Sequence, residues 1–256
     1  MKRRVQISVF ARSLFVQAWW NFEGMQNIGF LFGLEPLLRG TYASREDYRD
    51  AAYRHLGFFN TNPYMAGFVL GAVGSMEERR AALPEEERAS FERRIESVKK
   101  TASSVVAAMG DSFFWGALRP ACAAAGILLA VVLWTIDVPY ALVVGGVAYL
   151  ALYNAPAIWL RWKGLSLGYS DPEALPAELR KLRWQEKARW VRGLGLASAV
   201  LLTGGALLVP PWGGALSWWN PLLLAAAIGL RAFRVSTLHL YGAAVILGAG
   251  TALVGF

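Results

Sequence analysis

The sequence predicts an all-α membrane protein, with about five transmembrane helices plus amphipathic and re-entrant helical elements in the N-terminal half. Three observations predict it. Of the 256 residues, 55% are hydrophobic and only 17% are charged, with a mean hydropathy of +0.36, whereas soluble domains usually carry ~25% charge. Beyond residue 120 the apolar residues gather into segments at about 121–136, 138–160, 194–210, 215–230 and 238–256. The cations of that region occupy only alternate connections, the loop 161–193 and the pair Arg231 and Arg234, while 135–138 carries only Asp137 and 209–217 carries no charge. Such alternation obeys the positive-inside rule. It places the basic loops and Lys99–Lys100 in the cytoplasm and the C-terminus outside. The net charge of +8 is therefore topological: the expected partner is a lipid bilayer, and no nucleic acid is expected. The chain divides into a membrane-surface and re-entrant region, 1–120, and a transmembrane region, 121–256.

Residues 5–22 place Val9, Phe10, Leu14, Phe15, Ala18 and Phe22 at helical spacing, behind Lys2, Arg3 and Arg4. That describes an amphipathic helix, either lying on a membrane surface or packed on the rest of the protein. The start is basic but lacks a long apolar core and a clear cleavage site, which argues against a signal peptide. Residues 19–29 mix tryptophans with Asn21, Glu23, Gln26 and Asn27. The cluster suits a hydroxylated ligand, and it equally suits an interfacial anchor with ordinary polar surface. Residues 46–56 read as a short surface helix. Asn60-Thr61-Asn62 before Pro63 reads as a turn, because the residue before proline is pushed out of the helical region. The apolar run after it, 65–76, is too short for the ~20 residues of a full span. It reads as a re-entrant or half-length element, tolerated only where protein buries it or where it lines a cavity. Residues 77–100 alternate acids and bases. Pro84 opens a helix there, acids follow, lysines close it, and Phe91, Ile95 and Val98 mark its apolar face. The charges read as a solvated face without chemistry.

Residues 109–120, MGDSFFWGALRP, are apolar yet carry Asp111 and Arg119. An ionisable group in hydrocarbon costs at least ~2.5–3.5 kcal/mol, so the two mark a functional site or a structural ion pair. Gly110 and Gly116 leave a continuous helix open to question. In 153–169, Pro156 predicts a kink and Asn154 a hydrogen bond to a freed carbonyl or a ligand. His55 and His239 lack the context of a phosphoacceptor. No Gly-rich phosphate loop, nucleophile elbow or metal-ligand cluster is present, and the lone Cys122 excludes an internal disulfide and reads as a small buried hydrophobe. No cofactor or metal is expected.

Four ordered segments resemble the IID subunit of mannose/fructose/sorbose-family sugar phosphotransferase systems. Arg12-Ser13 through Gly29 resembles RS…WN(F/Y)E.MQ..GF, and 55–63 with Met76-Glu77-Glu78 resembles RHLEFFNT.P…AMEE. Residues 110–120 resemble GDS.FWGT.RP, and 153–169 resemble FN.P…RYYGL.LGY. Gly57 and Ala117 depart from the usual Glu and Thr, and the loop at 209–217 is shorter than in many members, which speaks against a bacteriocin-receptor role. The resemblance implies a non-catalytic permease subunit of the bacterial cytoplasmic membrane. It would pair with a IIC subunit to carry a hexose-type sugar inward, while IIB, phosphorylated through IIA, supplies the phosphoryl group. The residues expected to face the sugar or shape its site are Asn21, Glu23, Gln26, Asn60, Thr61, Asp111 and Arg119. The alternative is a transport-inactive membrane scaffold of the same fold.

Overall fold

A computed structural model describes residues 1–208. Met1–Ala199 forms one compact unit, and the described part of a second unit is the end of the last helix. The helices are α1 (Arg3–Ser13), α2 (Asn27–Thr41), α3 (Arg45–Arg54), α4 (Ala66–Ala81), α5 (Glu85–Gly110), α6 (Arg119–Thr135), α7 (Ala141–Ser170), α8 (Leu175–Lys181) and α9 (Trp184–Leu208). A π-helical segment, Asp111–Leu118, joins α5 to α6 without a break. Helix is continuous over Glu85–Thr135, which answers the question raised by the two glycines. Among the described residues, this helix and α7 are long and apolar enough to cross a membrane. The segments expected at 215–230 and 238–256, the pair Arg231 and Arg234, His239, the loop 209–217 and the C-terminus lie outside the described residues. The connection read as a basic loop, 161–193, is largely helical, because α7 runs through Arg161 to Ser170 and α8 and α9 follow.

The expected half-length element is α4, and protein surrounds it. All of residues 66–77 are buried, packed by α1, α2, α5 and above all α7. Two Gly-x-x-x-Gly pairs make the α4–α7 contact possible. A Cβ on Gly71 would lie 2.2 Å from the Leu165 carbonyl oxygen, and one on Gly168 would lie 2.0 Å from that of Phe68. The backbones touch, and only glycine leaves room for it. Gly126 and Gly145 repeat the device between α6 and α7, with each carbonyl within 3 Å of the other's missing Cβ. The outer faces of this hairpin remain apolar and exposed, from Ile127 through Trp134 on α6 and from Leu142 to Trp159 on α7. On α7 that belt rises roughly 26 Å at 1.5 Å per residue, near the ~30 Å thickness of a hydrocarbon core.

Pro36 sits inside α2, a helix the sequence reading left unassigned. Proline removes the hydrogen bond to the carbonyl four residues earlier, here that of Phe32. Arg12 Nη1 donates to this same oxygen at 3.4 Å, while its guanidinium pairs with Glu35 and lies 4.8 Å from the Phe32 ring. The helix survives because a neighbour replaces the missing donor, and Phe30, Leu34, Leu37 and Leu38 then face the core at helical spacing. In α7 the freed carbonyl is not the one bonded. Asn154 bonds the Leu150 carbonyl at 2.8 Å, not that of Leu152, which Pro156 frees.

Helix α3 begins where expected, with Ser44 accepting from the amides of Glu46 and Asp47, a standard N-cap. The apolar face of α5 is also as expected, with Ile95 buried.

Adding a methyl at Gly71 or Gly168 forces two backbones apart, at a cost of ~1–3 kcal/mol or more, whereas Gly146 has open space around its missing Cβ. Thermal unfolding in detergent should show Gly71→Ala and Gly168→Ala strongly destabilised and Gly146→Ala neutral to slightly stabilised.

Candidate functional site

Three segments remote in sequence meet in one polar seam. The first, 19–27, folds back on itself: Asn21 and Met25 exchange backbone hydrogen bonds of 2.9 and 3.0 Å, which holds Met25 at φ 57°. A non-glycine residue in that region is uncommon and persists only where its surroundings enforce it. The Asn21 side chain accepts from the Gly24 amide at 2.7 Å and donates to Asn27 Oδ1 at 3.0 Å. The second segment, 57–64, lies alongside, with the Gln26 amide donating to the Phe59 carbonyl at 2.8 Å. Buried Gln26 then grips Thr61 from both sides. Its Nε2 donates to the Thr61 carbonyl at 2.9 Å and its Oε1 accepts from the Thr61 amide at 3.0 Å. Thr61 Oγ1 donates to the Ser103 carbonyl on α5 at 3.0 Å.

The third segment is the π-helical turn. Asn62 Nδ2 donates to Asp111 Oδ1 at 2.9 Å, and Gly110 lets the helix approach so closely that a Cβ there would lie 2.4 Å from that of Asn62. Tyr64 packs at a tilt against Phe114 and Trp115, with ring centroids 4.7 and 5.7 Å away. Wide i→i+5 turns are uncommon and recur at functional sites. Here the 62–64 turn supports the π segment from one side.

The seam therefore brings Asn21, Gln26, Thr61 and Asp111 together and sorts the expected site residues by environment. Gln26 and Thr61 are buried and saturated, and Asn21 is held in its loop. Glu23, Asn60, Asp111 and Arg119 are exposed. Asp111 and Arg119 form no ion pair with one another: Asp111 bonds Asn62, and Arg119 sits 5.5 Å from the centroid of Trp115. A hollow of about 350 Å³ lies elsewhere, on the apolar α6–α7 face lined by Gly126, Ile127, Leu142, Gly145 and Tyr149.

Behind the seam lies a buried ionic hub, which corrects the reading of 77–100 as a solvated face. Glu77 is 0% exposed. Its Oε1 faces His55 Nε2 at 2.9 Å, and its Oε2 accepts from Tyr42 Oη at 2.6 Å and Arg54 Nη2 at 2.9 Å. Arg80 and Arg54 both reach Glu92, and Arg80 Nη1 also donates to Tyr42 Oη at 3.2 Å. Lys99 Nζ lies 3.4 Å from the His55 carbonyl and 4.6 Å from the Phe30 centroid. Burial alone would raise the Glu77 carboxyl, but the hydrogen bonds and charges of His55 and Arg54 overcome it and bring its pKa down to about 2. Burial pushes His55 below its ordinary 6.5, against the pull of Glu77. The other ring nitrogen, Nδ1, is buried without a partner. The overlooked signal was register: Glu77 follows Leu70 and Val73 by seven and four residues, on the face of α4 that must be buried.

Asn62 was read only as part of a turn. Arg161, placed by the sequence at a cytoplasmic rim, is buried. It donates to the Ser13 carbonyl and lies 5.7 Å from the Tyr64 centroid.

Residues 1–201 match the family described as the PTS system mannose/fructose/sorbose family IID component. The chain belongs to this family. It is 35% identical over 163 residues to the mannose-specific EIID component of Escherichia coli K12, covering 63% of this chain and 53% of that protein. The sorbose-specific EIID component of Lacticaseibacillus casei is 33% identical over 183 residues, 71% of this chain and 60% of that one. The chain thus spans little more than half the length of these curated relatives. A solved structure of the mannose transporter ManYZ in complex with microcin E492 contains a chain that is 25% identical, with a TM-score of 0.58, matched over 100% of this chain and 98% of that one. Another, described as a membrane protein, is 24% identical with a TM-score of 0.72, over 100% and 98%. The IID family and these folds identify a bacterial membrane protein.

The hub fixes the sign of a pH dependence. As pH falls below about 6.5 the unfolded chain binds a proton at His55 that the folded chain refuses, and between about 4.5 and 2 the same holds for Glu77. Unfolding midpoints measured from pH 8 downward should therefore fall in two stages. Glu77→Gln should cost ~3–5 kcal/mol at neutral pH, by removing the buried charge and leaving Arg54 only Glu92, which it shares with Arg80, and should abolish the lower stage. A flat profile would contradict the assignment.

Proposed function

We infer that this chain is the IID-type membrane subunit of a sugar-translocating phosphotransferase permease. It pairs with a IIC subunit and carries a hexose-type sugar inward for phosphorylation by IIB, itself charged through IIA. The same reading carries the five-span topology, with basic loops in the cytoplasm and the C-terminus outside. One observation supports it most. The seam saturates its inner polar groups within the protein while leaving Glu23, Asn60, Asp111 and Arg119 exposed, each close in the chain to an exposed aromatic, Phe22, Phe58 or Trp115.

Carboxylates, amides and a guanidinium can bridge neighbouring sugar hydroxyls, and an aromatic face can cover the apolar side of a pyranose. Asn21, Gln26 and Thr61 then shape the site, and Glu23, Asn60, Asp111 and Arg119 contact the sugar. None of these is a nucleophile placed for phosphoryl transfer, so that chemistry falls to the partner proteins. A hydrogen bond to a charged group contributes ~1.5–3 kcal/mol, which is roughly tenfold or more in affinity.

The test is co-purification with IIC and IIB proteins of the same family, followed by sugar uptake in a host lacking its own permease. Uptake should need phosphorylated IIB. Asn60→Ala and Glu23→Gln should raise the half-saturating sugar concentration about tenfold at unchanged stability. Gln26→Ala should instead destabilise, by ~1–3 kcal/mol for each Thr61 group left unpaired. A stable complex that moves no hexose would favour the scaffold, and no complex would remove the permease reading.

A further inference from the structure

One face of α1 is unpartnered. The helix buries Val9 and Ser13 against the protein, yet Ile7, Leu14 and Phe15 are each about half exposed, at 50, 53 and 54%. Together with exposed Arg3, Arg4 and Ala11 they form one stripe at spacings of three and four residues. The stripe is cationic at its start and apolar beyond. The neighbouring face of the helix lies against the end of α7. Gln6 Nε2 donates to Ser166 Oγ at 2.7 Å, and Phe10 packs edge-on to Trp162 at 5.2 Å. That contact falls just past the exposed apolar belt of α7, which ends at Trp159. Lys163, one turn beyond Trp159, is exposed too. Among the described residues, none of Lys2, Arg3, Arg4 and Lys163 forms an ion pair. Four unpaired cations thus flank the contact of α1 with α7, on a surface that also carries half-exposed apolar side chains.

We propose that the start of α1 and the rim of α7 around Lys163 form a docking site for the headgroups of anionic phospholipids. The charge is complementary: a phosphodiester takes bidentate hydrogen bonds from arginine, and cations at a membrane surface attract anionic lipid. The apolar remainder of the stripe enters the acyl boundary, as in interfacial helices. Both options left open for this helix then hold at once, since one face packs on protein and the other on lipid. The site is independent of sugar transport.

The full chain, purified in neutral detergent, is titrated with phosphatidylglycerol or phosphatidylcholine, and bound lipid is counted by native mass spectrometry. Phosphatidylglycerol should bind in preference, and its binding should weaken as salt rises. The variant Arg3→Gln/Arg4→Gln/Lys163→Gln should lose roughly tenfold or more in affinity. The charge-matched variant Arg45→Gln/Arg93→Gln/Lys100→Gln, neutralising exposed cations elsewhere, should behave as wild type. Size-exclusion and circular dichroism profiles matching wild type establish that both variants fold, and the salt dependence of the wild type tests the site without any substitution. Equal loss in both variants, equal binding of the two lipids, or indifference to salt would overturn the proposal. So would displacement of the lipid by an equal concentration of inorganic phosphate, which would assign the cluster to a free anion.

Discussion

The contact of α4 with α7 sets the positions of everything else. Helix α4 carries too few apolar residues to cross a bilayer alone, and its surface from 66 to 77 must therefore be covered by protein. Glycines 67 and 71 on one helix and 164 and 168 on the other bring the backbones together, so that Phe68 lies over Gly164 and its carbonyl over Gly168. Between two apolar helices in lipid no hydrophobic gain drives association, and close van der Waals contact must supply it. Once α4 is clamped, the turn at its start, 60–64, is held against the π segment. Glu77 at its other end must then find its partners inside the protein.

Those partners explain why buried charge is tolerated. Glu77 would be costly alone, but two cationic or N–H donors and a tyrosine hydroxyl saturate its oxygens. The hub takes one or more groups from α2, α3, α4 and α5 and so fixes the α3 end from which the 57–64 segment departs. His55 transmits this constraint, since its ring bonds Glu77 while its carbonyl faces Lys99. Packing at one end of α4 and polar saturation at the other thus hold the seam from both sides. Many family-motif residues act here as architecture: Arg12 repairs the α2 ladder at Pro36, Ser13 receives Arg161, and Gln26 locks Thr61.

Much of this was legible in the sequence, for reasons that can be named. The apolar run after Pro63 located α4, and Pro84 with the Phe91, Ile95 and Val98 face located α5, while α3 showed as a short polar segment. Helix α2 was left unassigned, and a helix carrying Pro36 depends on a guanidinium, from Arg12, that only the fold brings to its lost bond. Asp111 and Arg119 stood out as charges in apolar sequence, but their separation along the chain could not reveal that Asn62 and Trp115, not each other, are their neighbours. The charges of 77–100 look uniformly solvated because alternating acids and bases carry no mark of depth. Burial of Glu77, Arg80 and Lys99 depends on which side of α4 and α5 faces α2 and α3, a tertiary fact.

In the proposed function, the seam joining 19–27, 57–64 and 111–118 is where this subunit meets sugar. Hydrogen–deuterium exchange on a membrane complex with a IIC subunit, with and without sugar, is the measurement to make, because amide protection reports ordering segment by segment. Added protection is expected at 57–64 and in the π segment 111–118 when sugar is present, with α6 and α7 unchanged. Intact transport with no change in either segment would contradict it and move the sugar site to the partner subunit.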